Sequence, residues 1–539
     1  MYFQLKNKNG EIGLTIKLWI KLCETLQRSK ARPTPQKSAP KDSESKFNCS
    51  KYKYYYTNEP SMLSPTKRGL MVIGKELPNF ITDFFEKIDE EVRIHSPGNG
   101  LSKKQKYWLA FCALATLATN SVCWARFEKV SLGRYKKKAL SWMFCHSKIP
   151  WSLLFQVSVN VIVSLYRVTL GTLNIDESDN HRSKRTKKIS WVHKLKDKAT
   201  GGYAMGQCVV FIILVTPIIT IPVGFKFYMP DPDITRWRKK CKKLKKLGIP
   251  ATQRPKRPPE NPIYPSKNEL AIQLLKEFKE KHPDIEVKCI NADALYGNKQ
   301  FLTGAASVYK STQIISQVDR NRNIRHRGKN ISVQKYFSRN SGVLQQIKIR
   351  GEKEIMATIA SARLYVPSQG VKRFIVALKY EDEDEYRYLI ATDMSWRTED
   401  IVKAYTLRWL VEVFFQDWKA NEGWAALTKL TGEEGSRNSL ILSLLVDHCL
   451  LFHPEQLARI KNKIPAFTVG SLRHQISIDS LFMFIQELLQ SENPAKTLEQ
   501  LASKVKESII SLAPSKKHMV GRDLGRLEAS PSLQHRAAG

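Results

Sequence analysis

Four residues at fixed spacing form the segment of this chain best suited to chemistry. Tyr405, Arg408, Glu412 and Lys419 follow the pattern Y-x2-R-x3-E-x6-K within the sequence YTLRWLVEVFFQDWK. At about 100° per residue, the four positions share an arc of roughly 60° on a helical wheel. A helix would therefore present one carboxylate flanked by two cations and a phenol. The alternative is an ordinary amphipathic helix with a solvated charged face.

The rest of this segment predicts how such a helix is held in place. Its other side is apolar, with Phe415 at the border, and it predicts a buried face formed by Leu407, Leu410, Val411, Phe414 and Trp418.

The pattern resembles the YREK signature of bacterial insertion-sequence transposases of the DDE class, the insertion-sequence family four. The resemblance implies that Glu412 is the third catalytic carboxylate and that two aspartates precede it, each at the end of a strand of an RNase H-like sheet. It also implies that Tyr405, Arg408 and Lys419 contact the transposon end. Some members form a hairpin intermediate with a flipped base, which Trp396 or Trp409 could stack on if they are not core residues.

Asp176 is the best candidate for the first aspartate. It follows a β-leaning run, residues 168–175, and precedes a polar, basic segment that we expect to be a loop. Glu177 and Asp179 compete for the same role. The resemblance, through its acidic pair followed by Ser or Thr, favours Asp176, and an ordinary turn aspartate is the alternative.

Asp293 is the candidate for the second aspartate. A helical pattern over residues 267–282 leads into a short predicted strand, residues 285–290, and Asp293 follows. This order brings a side chain to the carboxyl edge of a sheet in an α/β fold. The sequence Asp-Ala-x-Tyr-Gly also resembles the second catalytic motif of the family, and a helix-capping aspartate is the alternative.

The long interval between Asp293 and Glu412 contains further predicted strands. They cover residues 343–349, 355–366, 373–378 and 386–391. We interpret them as a β-rich insertion between the last core strand and the Glu412 helix, as the resembling family has at this point.

Three carboxylates suit phosphodiester chemistry. Two Mg²⁺ ions about 3.5–4 Å apart can activate a nucleophile and stabilise the leaving oxygen in displacement at phosphorus. Hard oxygen ligands suit Mg²⁺, with Mn²⁺ as a substitute. We therefore expect Asp176 to bridge two metal ions and Asp293 and Glu412 each to complete one, while Arg408 and Lys419 hold DNA phosphates.

Charge and composition agree with a polyanion partner. Lys and Arg total 88 against 50 Asp and Glu, a net charge of +38, although ribosomal and membrane-surface proteins share this balance. The nine cysteines form no CxxC or CxxH pair, which favours buried thiols in a reducing cytosol. The uncharged residues 203–225 could imitate a membrane helix, but Pro217 and Pro222 favour two buried strands instead.

Two basic segments are further candidates for DNA contact. Residues 133–142 (GRYKKKALSW) predict a basic recognition helix after a short turn, or else a support helix packed on the core. Residues 236–246 predict sequence-independent phosphate contact, or else a solvated charged loop. The residues predicted to bind DNA here are Lys136, Lys137, Lys138, Arg236, Arg238, Lys239 and Lys240.

The predicted fold class is α/β: an RNase H-like catalytic core with a β-rich insertion, preceded by a mostly helical N-terminal domain. The expected divisions are a flexible basic extension (1–62), a helical DNA-binding domain (63–166), the core in two parts (167–300 and 393–460), the insertion (301–392), a helical region (461–512) and a disordered tail (513–539).

The sequence thus predicts a Mg²⁺-dependent transposase that binds terminal inverted repeats and moves them by cut-and-paste transposition. The expected partners are double-stranded DNA and a second copy of the chain in a synaptic complex, in a bacterial cytoplasm at the nucleoid, with no membrane and no small-molecule substrate. An RNase H-fold nuclease and an inactive DNA-binding relic of a transposase remain as alternatives.

Overall fold

The computed structural model describes residues 73–182, 189–197, 200–349, 354–381, 383–427 and 432–509. The predicted N-terminal extension and C-terminal tail lie outside these residues. The divisions predicted from the sequence stay predictions, and the elements below are those that position the candidate site.

A group of helices precedes the first strand, as the sequence predicts for this region. Ser102 begins the second helix with a capping box, since its side chain accepts from the Gln105 N–H and the Gln105 side chain accepts from the Ser102 N–H. This helix is buried along most of its length and forms the centre of the group. The helices are α1 (Asn79–His95), α2 (Lys103–Thr119), α3 (Trp124–Val130), α4 (Lys137–His146) and α5 (Trp151–Leu165).

The strands of the described chain form one mixed sheet. They are β1 (Leu170–Arg182), β2 (His193–Lys196), β3 (Tyr203–Val215), β4 (Thr220–Tyr228), β5 (Glu286–Ala292), β6 (Gln313–Val318), β7 (Asn323–His326), β8 (Lys329–Ser332), β9 (Val343–Lys348), β10 (Glu354–Val366), β11 (Val371–Tyr380) and β12 (Arg387–Ala391). Their order is β2-β3-β1-β5-β6-β12-β11-β10-β7-β8, with β4 paired to β3 and β9 paired to β10. Strands β1, β5 and β6 are parallel, and the other pairings are antiparallel.

The β1–β5 pairing decides where the two candidate aspartates lie. Its last pair is Ile175 with Ala292, so Asp176 is the next residue on β1 and Asp293 directly follows the end of the neighbouring parallel strand β5. The expected loop after Asp176 is wrong, because β1 continues to Arg182 by pairing with β3 alone. Asp176 therefore lies within a strand, at the point where the parallel pairing ends.

The uncharged stretch over residues 203–225 forms two buried strands, as predicted. Strands β3 and β4 pair antiparallel, and the turn between them is fixed by Thr216, whose hydroxyl oxygen accepts from the Ile218 and Ile219 N–H groups. Within the described ranges, no single helix is long and apolar enough to cross a membrane, although the bent pairs α2–α3 and α4–α5 pass the same test of length and composition.

The strands predicted for the β-rich insertion lie close to the expected residues, but they are not a separate layer. Strand β12 pairs with β6, and β11 and β10 follow in order, so they extend the same sheet. The edge of β6 offers unpaired backbone groups, and pairing with β12 satisfies them.

Further helices pack on this sheet or follow it. They are α6 (Pro232–Lys246), α7 (Lys267–Lys281), α8 (Lys299–Val308), α9 (Val333–Arg339), α10 (Thr398–Thr406), α11 (Trp409–Asn421), α12 (Gly432–Leu451), α13 (Pro454–Lys461), α14 (Val469–Leu489) and α15 (Pro494–Ile509). Helix α12 is buried along most of its length.

Helix α11 is anchored on α12 by one side chain. The indole N–H of Trp418 donates to the Ser443 hydroxyl at 2.9 Å, and the Trp418 ring stacks on Trp424 with centroids 4.5 Å apart. Val411, Phe414, Phe415 and Trp418 are buried as the sequence predicts, whereas Leu407 and Leu410 are only half-buried.

Of the nine cysteines, seven lie in the described ranges, and all seven are free thiols. Four are buried, as the sequence suggests. Cys145 departs from that expectation because it is exposed on α4.

Candidate phosphodiester-cleavage site

The alternation of β1 decides among the three acidic candidates for the first position. Asp176 accepts from Arg408, at the start of α11. Glu177, on the other face of the strand, instead accepts from Lys267 at 2.9 Å and from the Tyr296 hydroxyl at 3.2 Å. Among the three, Asp176 is thus the acid that the structure joins to the Tyr405–Lys419 segment.

Arg408 joins the first and third candidate carboxylates. Its Nη1 donates to Asp176 Oδ2 at 2.9 Å, and its Nη2 donates to Glu412 Oε1 at 2.7 Å. The fork of the guanidinium suits two carboxylates at once. Residues that are 232 positions apart in the sequence therefore meet in one charged group.

Asp293 lies beside this group and is not used as a helix cap. It precedes the short 3₁₀ turn Ala294–Tyr296, but its side chain makes no capping hydrogen bond. Its backbone carbonyl is fixed instead, because it accepts from the Ser316 hydroxyl at 2.8 Å. The charge of Asp293 raises the pKa of Asp176, which places the two acids within electrostatic reach.

The prediction of a single helix over the Tyr405–Lys419 segment is wrong, because α10 ends at Thr406 and α11 begins at Trp409. At the break, the Arg408 N–H donates to the carbonyl of Tyr405, three residues back instead of four. An amide side chain has entered the helical ladder: Asn291 Nδ2 donates to the Ala404 carbonyl at 2.9 Å, the acceptor that a continuous helix would offer to Arg408.

This amide belongs to a buried pair that sequence reasoning missed. Asn291 Nδ2 also donates to Asn174 Oδ1 at 3.1 Å, and both side chains are fully buried. Asn174 and Asn291 each lie two residues before a candidate aspartate, on the same face of their strands. An asparagine two residues before each candidate aspartate is the signal that could have identified this pair.

The break changes the role of Tyr405, which was predicted to share an exposed stripe with Arg408, Glu412 and Lys419. Only 6% of Tyr405 is exposed, and burial raises its pKa to about 12. The Arg408 guanidinium lies over its ring, with 5.8 Å between Arg408 Cζ and the ring centroid. Tyr405 therefore supports Arg408 from the core side instead of facing solvent.

Burial sets the electrostatics of Asp176. It raises the pKa of the Asp176 carboxyl to about 7, while the Arg408 guanidinium lowers that pKa and the Asp293 carboxylate raises it. Arg408 itself is a fixed cation, since the neighbouring Tyr405, Asp176 and Glu412 hold its pKa above the usual range against the opposing effect of its burial. The centre thus combines a protonatable acid with a permanent positive charge.

The donor chemistry of these acids fits a hard divalent cation. Asp176 Oδ1 accepts from the Glu177 N–H at 2.8 Å and Oδ2 from Arg408, which leaves each oxygen a further lone pair. Within the described ranges, no three His, Cys, Asp or Glu side chains lie close enough together to hold a metal ion. Arg408 lies between Asp176 and Glu412, so the predicted metal site of Asp176, Asp293 and Glu412 is not preformed and stays a prediction.

The other residues predicted to bind DNA lie on separate elements. Lys419 is half-buried on α11, two turns beyond Glu412 and on the same side. Helix α6 carries the second basic segment and has no buried residue, and on it Arg236 pairs with Asp233. Lys136, Lys137 and Lys138 are exposed at the start of α4. Trp396 is half-buried and Trp409 is exposed.

Comparison with known proteins identifies no family for this chain. No protein-family model matches the chain, and no curated protein matches its sequence. Among solved structures it is similar to the NurA nuclease from Sulfolobus solfataricus, with 9% identity over 48% of this chain and 81% of that chain. The TM-score of 0.22 is too low for an inference about fold or activity.

Proposed function

We propose that this protein is a DDE transposase that binds the terminal inverted repeats of its insertion sequence and transfers them by cut-and-paste transposition. One observation carries the proposal: Arg408 donates to both Asp176 and Glu412, beside Asp293. It supports a common centre for the three acids chosen from their sequence contexts. The YREK resemblance supplies the finer assignment to transposition.

The strand order supports an RNase H-like core. The strand that carries Asp176, β1, is central. On one side β3 pairs antiparallel with β1 and β4 pairs antiparallel with β3, and on the other side β5 and β6 lie parallel to β1. This order agrees with the core that the resemblance implies. The strands from β12 onward would then be the family's β-rich insertion, joined edge to edge with the core.

The protein residues would act on a DNA phosphate as follows. Glu412 is half exposed, so it can reach a ligand at the sheet edge without refolding. Arg408 would exchange one of its carboxylate partners for a phosphate oxygen, which its fork accepts with the same geometry. Lys419 would contact a phosphate farther along the strand. The buried ring of Tyr405 would pack against Arg408 and hold its guanidinium in place.

Asp176, Asp293 and Glu412 would hold Mg²⁺, or Mn²⁺ in its place. When bound, such ions supply activation of water or of a DNA 3′-hydroxyl and stabilisation of the leaving oxygen. The pKa of Asp176, about 7, indicates a carboxyl for which a nearby divalent cation would offset the cost of burying its charge. A homodimer in a synaptic complex and a nucleoid-associated location in a bacterial cytoplasm belong to the same proposal.

A strand-transfer assay tests the proposal. Purified protein, Mg²⁺ and a labelled transposon end should give cleaved and joined products. Cleavage without joining would indicate a nuclease, and binding without cleavage would indicate an inactive relic.

Glu412→Gln should abolish both steps and leave end binding intact, because the carboxylate is lost while the exposed position tolerates the amide. Glu399→Gln, an exposed acid on α10, is the matched control and should cleave normally. Full cleavage by Glu412→Gln would remove Glu412 from the site.

A further inference from the structure

A second basic site lies apart from the carboxylates, in a cleft between α3 and α4 on one side and the end of β1 on the other. Its cavity volume is about 870 Å³, in the upper part of the range of ligand sites. Four cationic side chains line it, together with His146 and His181, and no Asp or Glu is among the described lining residues. The four cations are Arg126, Lys137, Lys138 and Arg182.

The start of α4 carries more positive charge than the one neighbouring acid, Glu128, balances. Lys137 and Lys138 occupy its first turn, which contains no acidic residue, although the N-terminal end of a helix favours negative charge. Glu128 pairs with Lys136 at 3.7 Å and accepts from the Lys137 backbone N–H at 3.3 Å, which leaves the side chains of Lys137 and Lys138 unbalanced by it. An anion in the cleft would relieve the repulsion among the lysines and the helix dipole.

Arg182 faces the same cleft without an acidic partner in the described chain. Its guanidinium donates to Gln207 Oε1 at 2.9 Å and to the Leu427 carbonyl at 3.2 Å, both of which are neutral acceptors. Burial lowers its pKa to about 10, so it stays charged at neutral pH. These bonds fix a cation whose charge no described carboxylate balances.

Trp142 gives the cleft an aromatic wall. Its side chain is 59% exposed, an unusual exposure for tryptophan, and its ring lies 5.8 Å from that of His146, one turn later. An exposed aromatic ring beside a row of cations is the combination that binds single strands, because bases stack on the ring while phosphates meet the cations. A duplex would offer the phosphates without the free base faces.

We propose that this cleft binds a single-stranded DNA segment, with a base stacked on Trp142 and phosphates held by Lys137, Lys138 and Arg182. The site is separate from the carboxylates, since Arg182 is six residues beyond Asp176 on β1. At about 3.3 Å per residue they are roughly 20 Å apart. The proposal does not depend on the proposed transposase activity.

The test measures binding of the full chain to a fluorescent twenty-nucleotide oligothymidine, in a metal chelator so that carboxylate chemistry plays no part. Trp142→Ala should weaken binding by about tenfold or more, as expected for the loss of one stacked base. The matched control is Phe482→Ala on α14, whose side chain has the same 59% exposure, and it should bind like the wild type.

Two further arms separate this site from general charge attraction. The double variant Lys137→Ala/Lys138→Ala should reduce the slope of log affinity against log salt by about 1.4, from about 0.7 for each phosphate contact. Oligothymidine should also slow the alkylation of exposed Cys145, which lines the cleft. The proposal would be overturned if Trp142→Ala bound oligothymidine as tightly as the wild type does. It would also be overturned if duplex DNA competed for the protein as well as oligothymidine does, or if oligouridine bound more tightly than oligothymidine.

Discussion

Arg408 and Asp176 form a partly buried ion pair where the parallel β1–β5 pairing ends, with 2.9 Å between Nη1 and Oδ2 and about one seventh of each side chain exposed. Despite this pairing, burial raises the pKa of Asp176 to about 7. The carboxylate is therefore balanced between its two protonation states near neutral pH, and Arg408 favours the charged one.

Replacing Arg408 should make activity more dependent on pH. In Arg408→Gln the positive charge is lost, so the pKa of Asp176 rises and less of it is ionised. We expect cleavage to fall at every pH, and to fall further at pH 6.5 than at pH 8.5. Arg397→Gln removes another arginine paired with an aspartate, but an exposed one, and should leave the profile unchanged. An equal loss at both pH values would contradict the proposed effect on Asp176.

Lys419 should contribute charge without taking part in the chemistry. We expect Lys419→Ala to weaken binding of the transposon end and to reduce the magnitude of its salt slope by about 0.9, the value for one phosphate contact on duplex DNA. The measurement is a titration of labelled end DNA at several salt concentrations. Lys461→Ala, an exposed lysine on α13, is the control. A salt slope equal to that of the wild type would exclude Lys419 from the phosphate contacts.

Asn291 should couple stability to activity. Asn291→Ala leaves the buried Asn174 side-chain oxygen without this donor, which costs about 1–3 kcal/mol. It also frees the Ala404 carbonyl to continue the helix, which would move Arg408. We expect a lower free energy of unfolding together with reduced cleavage, and Asn330→Ala, exposed on β8, should change neither.

The double variant Asn174→Ala/Asn291→Ala sharpens this prediction. Removing both amides should cost less than the sum of the two single changes, because neither partner is left unsatisfied by the other. Simple additivity of the two free energies would show that the amides act independently.

Two acids, Glu422 at the end of α11 and Asp447 on α12, should make stability depend on pH. Burial raises the pKa of Glu422 and of Asp447 above their ordinary values, and repulsion between them raises the pKa of Glu422 further. The folded state therefore keeps protons that the unfolded state releases. Their contribution is complete in acid, below the unfolded pKa values, and is lost as pH rises through the folded ones.

Glu422→Gln/Asp447→Asn should flatten this dependence. Between pH 5 and pH 9 we expect the free energy of unfolding to fall less steeply than in the wild type, by up to about 1.4 kcal/mol per pH unit for each proton concerned. Urea denaturation at several pH values measures it. Glu280→Gln, an exposed acid on α7, should retain the wild-type slope, and a parallel slope in the double variant would show that the pair does not titrate.

Local pattern was enough to predict much of the scaffold. The two strands over residues 203–225 follow from their β-branched, proline-interrupted composition, and the order helix, strand, Asp293 follows from a change of hydrophobic period. The buried face of α11 was also predicted, because side chains three and four positions apart share one side of a helix. Each of these inferences depends on residues that are neighbours in the sequence.

The sequence by itself determined which acids and cations could form a site, and approximately which elements carry them. Only the tertiary structure decided that Arg408 binds both Asp176 and Glu412, that Tyr405 is buried, and that the predicted insertion strands extend the central sheet. The break before α11 shows the physical reason. Neither Pro nor Gly marks it; it follows from a hydrogen bond by Asn291, a residue of a distant strand, and no local pattern contains that contact.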